Sequence, residues 1–117
     1  MEDVTDIWFC THFSLSKIAH VLGIEDAIFD AENHWEWVVG RWHGGQLDIT
    51  RAHSDRRLHT DTMAFLLNGD AFTVAMVADF VDKVRSYSRG PIRCGRKAVV
   101  TESRRELIEE ASFDSVF

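Results

Sequence analysis

Apolar and polar positions alternate along TDIWFCTHF (5–13), and the stretch is rich in β-branched and aromatic side chains. A period of two in such residues predicts a strand. The period then changes. In SLSKIAHVLG, Leu15, Ile18, Ala19 and Leu22 fall on one face at helical spacing, Ser14 is placed to cap the N-terminus and Gly23 to end the C-terminus. Residues 24–33 are acidic, with Ile24, Ala27, Ile28 and Phe29 among them. They read as a connection with a turn of helix.

HWEWVVGRWHGGQLDITRAH (34–53) returns to alternation and predicts a β-hairpin. Trp35, Trp37 and Val39 point one way; His34, Glu36 and Val38 point the other. Gly44-Gly45 supplies the positive-φ turn. On the return strand Leu47 and Ile49 alternate with Asp48 and Thr50. SDRRLHTD (54–61) is a polar loop, and DTMAFLLNG (61–69) is a third strand of the meander, closing on an Asn-Gly turn. Residues 71–89 carry the longest helical period: Val74, Val77, Phe80, Val81 and Val84 make a stripe, Asp70 is placed to cap it and Gly90-Pro91 ends it. IRCGRKAVV (92–100) reads as an edge strand, because Arg and Lys interrupt it. Ser103 to Glu106 fits a capping box ahead of a short helix through Glu110. The last residues, 112–117, dock Phe113 or fray.

The order β-α-β-β-β-α-β plus a short C-terminal helix predicts one α+β domain over 1–117. It is a single antiparallel sheet (a meander) with two main helices packed on one face. Trp35, Trp37, Val39, Ile49, Met63 and Phe65 are the expected sheet side of the core.

Composition fits this and adds a charge layout. The 117 residues are 45% hydrophobic and 27% charged, which excludes a disordered chain. No apolar run approaches the ~20 residues of a membrane helix, and no basic segment followed by an apolar run marks a signal peptide. Cytoplasmic residence is the expectation. Net charge is −6. Residues 1–36 hold eight acids against Lys17 alone, and residues 83–105 hold eight bases against Glu102 alone. Kept apart, these blocks make a strongly polar molecule.

Assembled chemistry is sparse. His34-x-Glu36 shares one strand face, and His53 or Asp48 across the hairpin is within range of the same point, but no HExxH, paired CxxC or deaminase signature accompanies them. Glu36, His34, Asp48 and Asp61 are the candidates for acid–base work. Cys94 stands between Arg93 and Arg96, cations that lower a thiol pKa; the plainer reading is a small apolar residue turned inward. The basic block, with Tyr87 as a stacking residue, would suit phosphates, yet no nucleic-acid-binding signature is present. No catalytic residue, metal ligand or cofactor is assigned.

FCTHFSLSKIAHVLGIED, DAENHWEWVVG and LDITRAH resemble the strand–helix–hairpin opening of small immunity proteins of bacterial contact-dependent growth inhibition and related polymorphic toxin systems. The resemblance covers the first half of the chain. It implies tight binding and neutralisation of a cognate toxin C-terminal domain, often a nuclease, without catalysis by the immunity protein. An acidic inhibitor suits a nuclease surface that must itself be basic. The expected toxin-binding carboxylates are Glu32, Glu36, Asp48, Asp55 and Asp61, with Trp42 as an aromatic anchor at the hairpin end. Arg51, Arg56 and Arg57 lie in the same region and oppose that assignment. The alternative is a small metal-dependent or acid–base enzyme, or a nucleic-acid-binding domain using residues 83–105.

Overall fold

The computed structural model describes residues 4–32, 35–52, 60–68, 70–95 and 113–116. It is an α+β domain with one antiparallel sheet. The elements are β1 (Asp6–Thr11), α1 (Leu15–Leu22), β2 (Glu25–Glu32), β3 (Trp35–Trp42), β4 (Gly45–Ala52), β5 (Thr60–Leu66), α2 (Val74–Val84) with a 3-10 turn (Arg85–Tyr87), β6 (Arg93–Gly95) and β7 (Phe113–Val116). The sheet order is β2-β3-β4-β5-β1-β6-β7. The four-strand meander β2–β5 is therefore extended by β1, which α1 connects back to the far edge.

Local chemistry explains the helices. Ser14 accepts from the Lys17 N–H at the start of α1, and Gly23, at φ 75°, closes it. For α2 the cap is Thr73, not Asp70. The Thr73 hydroxyl takes the Met76 N–H at 3.2 Å. Asp70 instead accepts from the Asn68 side chain at 2.6 Å. α2 is shorter than the predicted 71–89 because its last residues tighten into the 3-10 turn.

Two differences matter for function. The first is that residues 25–32 form a strand, not a connection. Ile24 and Glu25 reach β3 by crossing directly over Gly40, where an added Cβ would meet Ile24 Cγ2 at 2.3 Å and the Glu25 carbonyl at 2.7 Å. Only glycine leaves room for that crossing. A bulge between Glu25 and Ile28, with Asp26 at φ 54°, then adjusts the register. The second is that β6 lies between β1 and β7 and is not an edge. Of the predicted strand 92–100, residues 96–100 lie outside the described residues, as does the predicted helix of Ser103 to Glu110. Within 112–117, residues 113–116 are strand.

The hairpin turn is His43-Gly44, both at positive φ (51° and 76°), one residue earlier than the predicted Gly44-Gly45. Histidine tolerates this conformation better than most residues, and here its ring is held. His43 Nε2 lies 2.7 Å from Asp79 Oδ2 on α2. Lys83, one turn along, also reaches Asp79 at 3.1 Å.

Both helices pack on one face. Ile7, Phe9, Val38, Trp42, Leu47, Ile49, Ala64 and Leu66 from the sheet meet Ile18, Leu22, Met76, Phe80 and Val84 in one cluster. Phe80, fully buried, meets the Phe9 ring edge-on at 5.7 Å and Trp42 at 6.0 Å.

Register places Val38 opposite Ile49, and Trp37 opposite Thr50. Trp35, Trp37 and Val39 are therefore half-buried on the face free of the two described helices, the helix-free face. Met63 and Phe65 share that face, opposite Thr50 and Asp48, and are buried there. Of the expected sheet-side core, only Ile49 faces the helices. The helix-facing set of β3 is Glu36, Val38, Gly40 and Trp42.

Two measurements check this packing. Phe80→Ala is expected to cost ~3–5 kcal/mol in urea unfolding, because it opens a cavity between Phe9 and Trp42. Asp79→Asn tests the hairpin tie. The His43 hydrogen bond, assisted by Lys83 and opposed by burial, holds the Asp79 carboxyl below its ordinary value. A depressed carboxyl pKa gives stability that is present above the unfolded-state value and lost as pH falls through the folded one. The wild type should exceed Asp79→Asn by ~0.5 kcal/mol near neutrality, the size of a partly exposed pair. The gap should close below about pH 4.

Candidate functional site

The expected acidic contact face does not hold together as one surface. Asp48 is fully buried on the helix-free face and accepts from the Thr50 hydroxyl. Glu36 is on the helix side of β3, opposite Arg51 of β4. There it pairs with the Arg51 Nε, while Arg51 Nη1 donates to the Phe13 carbonyl at 2.5 Å. Glu36 is thus an internal tie between β3, β4 and the loop before α1. Trp42 is core, 4% exposed against Phe72 and Phe80, because it shares parity with Val38 and α2 lies over it. Its indole N–H has no hydrogen-bond partner among the described residues. Asp55 lies outside the described residues.

Glu32 and Asp61 are exposed, but apart. Asp61 is on β5 beside Cys10, in a cleft of about 210 Å³ that Arg89 and Arg93 also line. Glu32 ends β2, at the opposite edge of the sheet.

β2 is where the exposed acids collect. It is EDAIFDAE, and among the described residues only β3 pairs with it. Register sets Ile28 beside Val39, Asp30 beside Trp37 and Glu32 beside Trp35 on the helix-free face. Phe29 and Ala31 stand on the helix side, beside Val38 and Glu36. Ile28 is 70% exposed and Phe29 49%, two of the few large apolar side chains left in water. At the other end of the strand Glu25 and Asp26 both reach Arg41, at 3.1 and 2.8 Å. These pairs are solvent-exposed and weak. On the helix side the strand borders an open hollow of about 560 Å³ lined by Ser14, Leu15, Phe29, Ala31, Glu36 and Arg51, among others.

Sequence reasoning missed Asp30, Ile28 and Phe29 as surface elements of a strand. The signal was present as alternation: Ile28, Asp30 and Glu32 against Phe29 and Ala31. It was obscured by acids, which are depleted in strands and common in connections.

Arg41 answers Glu25 and Asp26, but the described arginines of the basic block lie elsewhere. Arg85, Arg89 and Arg93 belong to the 3-10 turn, the following loop and β6. β6 is five inter-strand spacings from β2, on the order of 24 Å. That is about three Debye lengths at physiological salt. Folding therefore leaves the acidic strand unneutralised by these arginines.

The metal and acid–base candidates are described only in part. His34 and His53 are outside the described residues, and among the described residues no group of three His, Cys, Asp or Glu side chains could hold a metal ion. Cys94 is buried facing Ile7, whereas Arg93 turns to the other face with Trp8. Burial, reinforced by Asp6, pushes its thiol up to about 11, the reverse of the lowering expected from flanking cations. Cys10 is also raised, first by burial and then by Asp61, with Arg89 opposing. Asp6 itself is buried and accepts from the Trp8 indole at 2.5 Å. Among the described residues no helix is long and apolar enough to cross a membrane.

Comparison of the chain with known protein families, curated proteins and solved structures gives no match.

Thiol chemistry checks this picture. In native protein at pH 8, Cys94 should resist iodoacetamide, and Cys10 should react slowly but sooner, being less buried. Both should be alkylated at ordinary rates after unfolding in urea. Rapid native labelling of Cys94 would contradict its placement.

Proposed function

We propose that this chain is a toxin-neutralising immunity protein. It binds a cognate bacterial toxin C-terminal domain in the cytoplasm, without catalysis or a cofactor, and the toxin domain is a basic one such as a nuclease. The observation that carries this reading is the composition of the β2–β3 surface. Asp30 and Glu32 sit beside half-buried Trp37 and Trp35, next to exposed Ile28. Carboxylates that steer a basic partner, set around aromatic and aliphatic anchors, match the anatomy of a protein-binding patch. Separation from Arg89 and Arg93 keeps its field directed outward.

The resemblance in the first half of the chain supports the same reading and includes this strand. The contact set differs from the one expected from sequence. Glu32 stays in it, and Asp30, Trp35, Trp37 and Ile28 join it. Glu36, Asp48 and Trp42 leave it, because their groups are engaged inside the fold. Asp61 is too far along the sheet to share the patch.

Co-expression with the C-terminal domain of a large secreted protein, where one is encoded beside this chain, tests the proposal. A one-to-one complex that protects cells from that domain is the expected result. Asp30→Lys with Glu32→Lys should slow association roughly tenfold in low salt, with the difference shrinking as salt approaches about 0.5 M. Co-expression that yields neither complex nor protection would overturn the reading.

A further inference from the structure

β2 is the outermost strand of the described sheet, and among the described residues its backbone has a neighbour on one side only. An open edge of this kind is a template for another strand. The Ala31 N–H is taken by the strand's own Asp30 carboxylate at 2.8 Å, in an exposed bond that an incoming carbonyl can replace. Proteins commonly guard such an edge with charge or a bulge, and both are present here. The guard has a distinctive sign. Glu25, Asp26, Asp30 and Glu32 are all negative, and the strand contains no base. A second copy of β2 would bring these acids against their like. A basic strand would meet opposite charge at Asp30 and Glu32, Glu25 and Asp26 being already paired with Arg41. Exposed Ile28 and Phe29 also make a poor guard, since an edge built solely to repel would not offer apolar surface on both faces.

We infer that β2 receives an extended segment of a basic partner protein as an added, eighth strand of the sheet. The incoming strand alternates basic and apolar side chains. The two faces of β2 set that alternation. On the helix-free face Asp30 and Glu32 take Lys or Arg. On the helix side Phe29 and Ala31, with Leu15 beyond them, take apolar side chains into the hollow beside α1. Main-chain hydrogen bonds supply the affinity, and the period-two pattern supplies the choice of partner. This inference rests on the partner-binding reading above and specifies how that surface is used.

The test uses the full chain and three blocked eight-residue peptides. One alternates Lys with Val and Leu. The second has the same composition in an order that places the lysines together. The third is the alternating peptide N-methylated at every backbone amide, so that neither of its edges can donate hydrogen bonds to β2. Binding is followed by NMR titration, and hydrogen exchange is read at the Ala31 amide. Expected is saturable binding of the alternating peptide with at least tenfold slower exchange at Ala31. The reordered and N-methylated peptides should bind at least tenfold more weakly, and Asp30→Lys with Glu32→Lys should abolish binding.

Equal binding of all three peptides, lost in the charge-reversed variant, would overturn strand addition while leaving the acidic contact surface standing. Failure of every lysine peptide to bind would overturn strand addition and count against the partner-binding surface as well. Protein self-association that protects Ala31 without any peptide would assign the edge to a second copy and overturn the heterologous partner.

Discussion

A strand in an antiparallel sheet cannot choose its helix-facing side chains alone. Hydrogen-bonded pairing transmits that choice to its neighbour and onward across the sheet. In this domain the choice is made where α2 meets the sheet. Phe80 packs between Phe9 and Trp42, so odd positions of β1 and even positions of β3 face the helices. Val38 then sets Ile49, Ile49 sets Ala64, and Ala64 sets Ile7. Everything said of the surface follows from that chain of pairings. Glu36 is turned in toward Arg51, and the two flanking tryptophans are turned out beside Asp30 and Glu32.

Much of the fold was legible because its signals are local. Ser14 and Gly23 bracket α1, and the stripe of Val77, Phe80, Val81 and Val84 defines α2. The hairpin was readable to within one residue at its turn. Face assignment was less accessible. β3 is hydrophobic in both of its parities, with Trp35, Trp37 and Val39 in one and Val38 and Trp42 in the other. Burial on both sides of the central strands removes the contrast that normally marks the core side. Trp8, Met63 and Phe65 are as buried on the helix-free face as Ile7 and Ala64 are beneath the helices.

The site was harder to read than the fold for a related reason. A buried carboxylate and a surface carboxylate look alike in sequence. Asp6 and Asp48 are enclosed and hydrogen-bonded to Trp8 and Thr50, and Glu36 is held by Arg51. Two of the eight acids counted in residues 1–36, Asp6 and Glu36, are thus structural, as is Asp48 beyond them. What survives as outward charge in the described first half is concentrated in β2, whose side chains are largely exposed. Its identity as a strand depends on Gly40, a position in the next strand, which no local propensity announces.

That crossing also divides labour within β2. The strand is held at its beginning, where Ile24 and Glu25 press onto a residue with no side chain, and by its ladder to β3. Its outward groups, Ile28, Asp30 and Glu32, bear none of that mechanical duty. They can be exchanged for other side chains without loosening the anchor, so recognition can be rewritten on an unchanged scaffold. A fold arranged this way keeps its architecture constant while its preferences drift.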